Sequence, residues 1–476
     1  MKSVIKLLLL IALLQTGCKK LVDPSAPGNK IGVSAVYANN KTASSVLSRL
    51  FADFGSFSEG SYGVPILMSV AGDDLNGAAA SDAFTQDMYS NRIMRDATYW
   101  WYDMYKYIYT TNDALEMLPL SKGVTDPVRN QLMGEARFAR AFCYFYLVNI
   151  YGDVPLITST DYRENIGKGR TATAEIYQLI VNDLVEAKAL LSDKYFNADI
   201  TTVSTERLRP TKAVATAMLA RVYLYLKEYA KAEAEASEVI ANPIYELPEL
   251  NSVFLRSSKE AIWQLPALVA RFNTQDGKYL ILRTTPGVPN GPKPDYPFVL
   301  TPFLKNAFET GDTRSTKWVG DSSGFKFANK YKVWDIDKPV TEYVMMLRLA
   351  EQYLIRGEAR IKQNKVGEGI DDLNALRKRA RGTNPGDLPD LSKTMSQDAA
   401  IQAVEHERQV ELFVEWGHRW FDLKRTDRLN AVMTVVTPLK NPAVTWQPFR
   451  ALCPLPTGEV TTAPGLIGHQ NPGYNN

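Results

Sequence analysis

Cysteine and histidine are both scarce, since each occurs only three times among the 476 residues. His406, His418 and His469 are scattered, and neither an HExxH pattern nor a nearby cysteine set accompanies them. Cys143 and Cys453 stand in apolar contexts, where free cysteine behaves as a small hydrophobe; a disulfide between them is possible but has no supporting spacing. The sequence therefore indicates no metal site, and we expect no cofactor.

Other absences narrow the function classes. No long apolar run follows the N-terminal leader, so a later membrane-spanning helix is not expected. The 55 lysines and arginines nearly balance the 52 acids, and no basic stripe with interleaved aromatics indicates a nucleic-acid partner. A Gly-x-Ser-x-Gly elbow and a Walker phosphate loop are also missing.

Glu407, Glu411 and Glu415 are the carboxylates whose spacing comes closest to a catalytic set. On one helix they would point the same way, whereas glycoside hydrolysis needs two carboxyl groups that face each other across the substrate. We expect them instead to form ion pairs with basic residues close by in the sequence, which are Arg408, Arg419, Lys424 and Arg425. No catalytic residue is predicted, and the protein is predicted not to be an enzyme.

What the chain does have begins with a leader. Lys2 and Lys6 precede an apolar run over residues 7–14. This run has the length of the apolar part of a secretory signal and is too short to span a bilayer. The ending resembles a bacterial lipoprotein signal with Cys18 as the lipidated residue, although Gln15 stands where leucine is common. A cleaved signal with a chance cysteine is the alternative. We predict that residues 1–17 are a signal peptide.

Helical periodicity dominates the remaining chain. Apolar side chains recur at three- and four-residue intervals over residues 100–118, 134–151 and 174–191, and Gly152 is a plausible residue to end the second of these helices. Residues 209–243 and, more loosely, 342–380 show the small/large spacing of tetratricopeptide helix pairs. The small residues of this pattern are Ala220, Ala232, Ala236, Gly357 and Gly369. The sequence predicts a mainly α fold built from stacked helix pairs.

Long stretches without this periodicity separate the helices. Residues 251–339 are rich in glycine, proline and aromatic residues, and residues 54–87 and the tail from residue 445 are also predicted to be irregular. Loops of this length in a compact protein usually carry function. Aromatic residues are also frequent, with 24 tyrosines and 8 tryptophans, which is typical both of sugar-binding exported proteins and of large helical cores.

Several stretches, in the same order along the chain, resemble the SusD/RagB-like outer-membrane lipoproteins of the Bacteroidota. They are AGDDL (71–75), ARFARAFCYFYLVNIYGDVPL (136–156), LRLAEQYLIRGEA (347–359), LNALRKRA (373–380), ERQVELFVEWGHRWFDLKRTDR (407–428) and QNPGY (470–474), together with the pattern of Trp101, Tyr105, Ile108 and Asn112. The resemblance implies helix pairs with a loop-rich ligand-binding face and few short strands. It also implies an N-terminal helical region over 18–250 and a C-terminal SusD/RagB region over 251–476.

The family resemblance further implies a function. It suggests a lipoprotein held in the outer membrane by Cys18, at the cell surface, that captures oligosaccharides for a SusC-like TonB-dependent transporter. Oligopeptide cargo, a glycoside hydrolase and a ligand-free helical scaffold are the alternatives. Only one acid follows closely after Cys18, which leaves an inward-facing location open.

The candidate ligand-binding residues lie in the loop-like segments or beside a family motif. They are Asp73, Asp74, Asn76, Trp100, Tyr296 and Trp318. Adjacent helical residues point about 100° apart, so Trp101 packing inward would leave Trp100 outward. For each candidate, local packing or capping is the alternative role. Trp416 and Trp420 are instead predicted to share one helix face in the core, with Arg419 and Asp422 as an ion pair.

Overall fold

The computed structural model describes residues 36–55, 63–80, 82–93, 98–267, 273–283 and 291–475, so the leader and Cys18 lie outside the described residues. The described chain is mainly helical, as predicted. Its α-helices are α1 (Asn40–Gly55), α2 (Val64–Ala71), α3 (Ala83–Tyr89), α4 (Thr98–Met117), α5 (Asp126–Tyr151), α6 (Tyr162–Asn165), α7 (Thr173–Leu190), α8 (Lys212–Tyr225), α9 (Tyr229–Ile240), α10 (Gln275–Leu280), α11 (Pro302–Ala307), α12 (Arg314–Lys317), α13 (Leu349–Lys362), α14 (Val366–Ala380), α15 (Gln397–Leu412), α16 (His418–Arg425), α17 (Leu429–Lys440) and α18 (Thr457–Thr462).

The strands form three antiparallel pairs. They are β1 (Leu75–Asn76) with β3 (Val299–Leu300), β2 (Ala261–Leu265) with β6 (Val344–Arg348), and β4 (Val319–Ser322) with β5 (Phe325–Ala328). Single turns of 3₁₀ helix cover Leu118–Leu120, Leu250–Ser252 and Pro448–Ala451. One main apolar core runs through both predicted regions, and the boundary at residue 250 stays a prediction.

The longest described helix, α5, lies at the centre of this core. It packs between α4 and α7, and from Phe138 to Tyr151 its side chains are buried on every face. Gly152 ends it with a positive φ of 76°, a conformation that costs glycine little, which confirms the predicted helix end. The C-terminal tail covers this end, because the Cys453 amide donates to Ile150 O at 2.8 Å and the Asn471 side chain donates to Tyr151 O at 2.9 Å.

The two predicted tetratricopeptide-like pairs are formed by α8 with α9 and by α13 with α14, and α9 packs on α13 so that the pairs stack. Small residues allow the close approach of α13 and α14. A Cβ atom built on Gly369 would lie 2.7 Å from the carbonyl oxygen of Gly357, which is too close for any side chain. The helix-pair prediction is confirmed, and the glycines are the reason that this pair can form.

Two segments predicted to be irregular contain helices. Residues 54–87 include α2 and most of α3, and the tail includes α18. In α2, seven of its eight side chains are buried and Pro65 stands in the first turn, so the segment has no polar face to give a helical period.

Cys143 and Cys453 are buried and free, as expected. Every helix in the described part of the chain is too short or too polar to cross a bilayer.

Candidate functional site

The short ladder between β1 and β3 joins the two loop-rich segments singled out in the sequence. Leu75 pairs with Leu300 and Asn76 pairs with Val299. The amide of Thr301 donates to the carbonyl oxygen of Asp74 at 3.0 Å. The ladder therefore brings the predicted residues near 73–76 to the same part of the fold as the loop that carries Tyr296.

Asp73 and Asp74 are buried beneath this ladder. Arg419 of α16 binds both carboxylate oxygens of Asp73, at 2.8 and 2.6 Å. Burial, and then repulsion from Asp73, raise the pKa of Asp74 to about 7. Burial also lowers the pKa of Lys440 to about 7; its ammonium donates to the carbonyl oxygens of Val70 and Ala71 at the end of α2. Asp73 thus ties the loop to α16 and Asp74 is buried next to it, and the ligand role of both stays a prediction.

The expected outward position of Trp100 is wrong. Its side chain is 2% exposed because α3 covers it, and the ring centroid of Phe84 lies 6.2 Å from its own. Trp101, expected to pack inward, is buried as well and meets Tyr151 edge-on at 5.2 Å. Trp100 thus offers a ligand almost no surface in this conformation.

Trp318 also differs from its expected place in an open loop. It is fully buried, its indole nitrogen donates to Leu250 O at 2.9 Å, and its ring packs edge-on against Phe254. The ammonium of Lys330 lies 4.9 Å from the ring centroid, and the guanidinium of Arg348 lies 5.8 Å from it. The environment is that of a core tryptophan surrounded by buried cations.

Tyr296 belongs to a layered arrangement of aromatic rings and one cation. The Arg283 guanidinium lies 5.0 Å from the Tyr296 ring centroid and 4.5 Å from that of Trp334. Tyr296 is 7% exposed, whereas Trp334 is 41% exposed. Val299, the ladder partner of Asn76, packs against the small apolar cluster that contains Tyr296. We call the surface formed by Asn76, Arg283, Tyr296 and Trp334 the aromatic loop surface.

A groove of about 450 Å³ adjoins Trp334 on this surface. It is lined by Lys332, Val333, Trp334, Asp335, Lys338, Pro339 and Thr341. Buried groups fix the loop, because Glu342 accepts from the amides of residues 332 and 333 at 2.7 and 3.1 Å, and Asn273 accepts from the amide of Thr341 at 2.7 Å. The groove therefore places an indole ring beside both acidic and basic groups on a backbone that is already ordered.

Trp334 is the residue that the sequence analysis missed. It lies in the same glycine- and proline-rich segment as Trp318, and both follow a lysine-containing stretch. The neighbouring acids Asp335 and Asp337 were the one available signal, because aspartate is mostly exposed and its neighbours in a loop are then close to solvent. Trp318 is buried by residues distant in sequence, which no local pattern reveals.

The three glutamates do not form a catalytic pair. Glu407 and Glu411 lie in the second half of α15, which ends at Leu412. Glu415 lies beyond the helix, in a turn where Val414 and Trp416 have positive φ. All three are buried and paired with cations. Although burial opposes it, the guanidinium groups around Glu411 hold its pKa well below the usual range. A general acid needs the opposite shift, so the predicted ion-pair role is confirmed.

Their partners, however, are not the ones expected from sequence. Glu407 and Glu411 bind Arg314 at 2.6 and 2.8 Å, and Glu415 binds Arg348 at 2.7 Å. The expected partners bind elsewhere: Arg408 and Arg425 bind Asp422, Lys424 donates to Asn149 O, and Arg419 binds Asp73. The predicted Arg419–Asp422 pair is therefore also wrong. Among the described residues, no cluster of histidine, cysteine and acidic side chains is arranged to hold a metal ion.

Trp416 and Trp420 are both 4% exposed, which confirms the predicted packing role. They do not share a helix face, since Trp416 lies in the turn before α16 and Trp420 lies within it. Trp416 donates to Met345 O at 2.7 Å, and Trp420 packs edge-on against Trp446 at 6.1 Å. This turn orients α16, which carries Arg419 to Asp73.

Comparison with known proteins gives consistent matches. The family described as "Starch-binding associating with outer membrane" matches residues 66–224, and the SusD family matches residues 305–474. SusD-like protein P2 of Formosa agariphila is 26% identical, with 98% of each chain covered. SusD-like protein P38 of the same organism is 24% identical over 76% of this chain and 79% of its own.

Solved structures share the fold. A laminarin-binding SusD-like protein superposes with a TM-score of 0.73 at 22% identity, covering 92% of this chain and all of its own. Surface glycan-binding protein A from Bacteroides uniformis gives 0.75 at 19% identity, covering 91% and 99%. At these identities the likeness concerns the fold.

Proposed function

The chain is a SusD/RagB-like protein, and we propose that it is an outer-membrane lipoprotein that captures oligosaccharides and delivers them to a partner TonB-dependent transporter. The names of its relatives, which include laminarin-binding and glycan-binding proteins, support a carbohydrate ligand. The matched family is described as associating with the outer membrane, which supports the location, and the lipoprotein-like leader supports an anchor at Cys18.

The exposed ring of Trp334 is the observation that carries the ligand proposal. Among the side chains that the structure describes, it is the one tryptophan exposed to this extent. A flat apolar ring stacks on the C–H face of a pyranose. The Arg283 guanidinium covers one face of the Trp334 indole at 4.5 Å, so the sugar would stack on the exposed part of the ring that Arg283 does not cover. Lys338 and Asp335 beside it supply a donor and an acceptor for sugar hydroxyl groups.

The six predicted residues take two roles in this proposal. Asn76 and Tyr296 belong to the aromatic loop surface, Asn76 at its margin and Tyr296 beneath Arg283. Asp73, Asp74, Trp100 and Trp318 are buried, so the proposal gives them a supporting role without direct ligand contact. A ligand would then contact Trp334 first, and the buried four would act through the shape of the loops.

A binding titration with a matched pair of variants tests this proposal. Trp334→Ala should weaken binding of the preferred oligosaccharide at least tenfold, whereas Ile336→Ala, whose side chain is 40% exposed in the same loop, should bind as wild type. The protein would begin at residue 19, and the panel would contain hexasaccharides and oligopeptides. If the protein binds only the peptides of the panel, the cargo is an oligopeptide and the carbohydrate proposal is wrong. If both variants bind the oligosaccharide with equal affinity, Trp334 is not part of the binding site.

A further inference from the structure

A second cleft, of about 480 Å³, opens on a part of the molecule that shares no residue with the aromatic loop surface. It lies between α4, the segment 155–168 that includes α6, and the residues around α18. Its walls carry Tyr102, Tyr105, Tyr109 and Tyr162, with Lys168 and Glu459 as charged groups. We call it the tyrosine cleft.

Exposed tyrosines are concentrated in this cleft. Tyr102, Tyr109 and Tyr162 are 49%, 56% and 72% exposed, and they are the three most exposed tyrosines among the side chains that the structure describes. Tyr102, Tyr105 and Tyr109 follow the i, i+3, i+7 spacing that places side chains on one helix face, over a rise of about 10 Å. Three rings thus form a continuous strip along α4, with Tyr162 on the opposite wall.

Hydrogen bonds fix two of the three rings of this strip, those of Tyr102 and Tyr105, before any ligand arrives. The Tyr105 hydroxyl donates to Pro155 O at 2.8 Å, which ties the floor of the cleft to the facing segment. Tyr102 and Trp101 both donate to the carboxylate of Glu459, so α18 holds the mouth of the strip. A preorganised aromatic strip loses little side-chain entropy on binding, and the Tyr102 side chain held in this way is still 49% exposed.

The charged groups in the cleft indicate the chemistry of its ligand. Glu459 contributes one carboxylate and Lys168 one ammonium, which donates to Leu156 O at 2.9 Å and retains two further donors. The opposite charges leave the cleft without a net preference for anions or cations. The α4 wall of the cleft is helical, so it offers an extended peptide no strand edge to pair with.

We propose that the tyrosine cleft is a second, independent binding site for a neutral oligosaccharide, with its pyranose rings stacked on the tyrosine strip. The proposal rests on the proposed function only for the class of ligand. Glu459 and Lys168 then serve as acceptor and donor for sugar hydroxyl groups, while the exposed rings supply the contact area. A site of about 480 Å³ has the size of an ordinary ligand pocket.

Isothermal titration of the protein that begins at residue 19 tests this second site. The probes are laminarihexaose, maltohexaose, cellohexaose and xylohexaose. We expect two sites per chain for the preferred probe. Tyr109→Ala/Tyr162→Ala should remove one of them, with at least a tenfold loss of affinity and an unchanged melting temperature, because both rings are exposed. Tyr109→Phe/Tyr162→Phe keeps the ring faces and should restore binding. Leu120→Ala is the surface control, since that side chain is 72% exposed and outside the cleft.

The two sites fail separately. If the alanine pair leaves binding intact while Trp334→Ala abolishes it, the tyrosine cleft is overturned and the proposed function stands. If the alanine pair abolishes all binding and Trp334→Ala changes nothing, the cleft is supported and the aromatic loop surface is overturned. Wild-type protein that binds none of the four probes overturns both.

Discussion

Arg348 and Glu411 form a buried ion pair across 63 residues of sequence, with Nη1 of the arginine 2.6 Å from Oε1 of the glutamate. The same guanidinium binds Glu260 at 2.8 Å and Glu415 at 2.7 Å. Arg314 extends the network from Glu411 to Glu407. The network therefore links the residue that precedes β2 with β6, α12 and α15, and Arg348 lies 5.8 Å from the ring centroid of Trp318.

Removing Arg348 should destabilise the fold strongly. Arg348→Met leaves buried glutamates without their cation, and the loss is about 3–5 kcal/mol of unfolding free energy. Urea unfolding monitored by tryptophan fluorescence measures it. Lys326→Met is the control, because its pair with Asp321 at 2.8 Å is solvent-exposed and is worth less than about 1 kcal/mol. Similar losses in the two variants would show that the buried network has no special weight.

Trp318→Ala should act on stability. The ring is fully buried among aromatic residues and cations, so its removal should cost about 3–5 kcal/mol. Trp334→Ala, at an exposed position, should change the unfolding free energy by less than about 0.5 kcal/mol. Thermal unfolding of both variants makes the comparison. If Trp318→Ala is as stable as wild type but binds the ligand more weakly, Trp318 belongs to the ligand site and not to the core.

The stability should also depend on pH through Asp276. Burial, and then repulsion from Glu415, raise the pKa of Asp276 to about 7, above a value near 4 in the unfolded chain. The folded state therefore binds the extra proton, and this contribution to stability is lost as the pH rises from about 4 through 7. Asp276→Asn should match wild type near pH 4 and exceed it by up to about 4 kcal/mol above pH 7, since each pKa unit is worth about 1.4 kcal/mol. A difference independent of pH would contradict this.

The close packing of α13 on α14 predicts opposite effects for two glycines of one helix. Gly369→Ala places a Cβ atom 2.6 Å from Ile361 and 2.7 Å from the Gly357 carbonyl oxygen, so it should destabilise by about 1–3 kcal/mol. Gly367→Ala has its nearest contact at 3.6 Å and should stabilise by about 0.5–1 kcal/mol through helix propensity. Chemical unfolding checks both, and equal signs would argue against the close approach.

The anchor is tested in cells. Cys18→Ala should leave the folded domain intact but release it from the membrane fraction, because the lipid carried by Cys18 is the proposed attachment. Fractionation without detergent, followed by circular dichroism of the released protein, gives both readouts. Retention of the variant in membranes after washing would rule out Cys18 as the main attachment.

Features of the fold that depend on residues close in sequence were predicted correctly. The course of α5, its end at Gly152 and the helix pairs follow from periodicity and small residues, and they are present. The failures have non-local causes: Trp100 is covered by α3, and Trp318 packs against Phe254 and donates to Leu250 O, both more than sixty residues away in the sequence.

The ion pairs of the three glutamates were likewise predicted only in part. That Glu407, Glu411 and Glu415 would be paired could be predicted, since buried carboxylates require cations. Their partners could not, because Arg314 and Arg348 approach from other elements and the turn at Val414 and Trp416 takes Glu415 off the helix. The exposed ring of Trp334 and the tyrosine cleft likewise depend on how distant segments meet.

The contacts between the tail and the end of α5 also bear on the order in which the protein is made. Residues near 150 leave the ribosome some three hundred residues before Asn471, which caps the Tyr151 carbonyl. Until then the carbonyl groups of Ile150 and Tyr151 lack these partners, so the end of α5 reaches its final packing only when nearly the whole chain has been made. For the exported lipoprotein proposed above, late completion of this packing favours translocation, because a chain that has not yet folded can still pass through a narrow secretion channel.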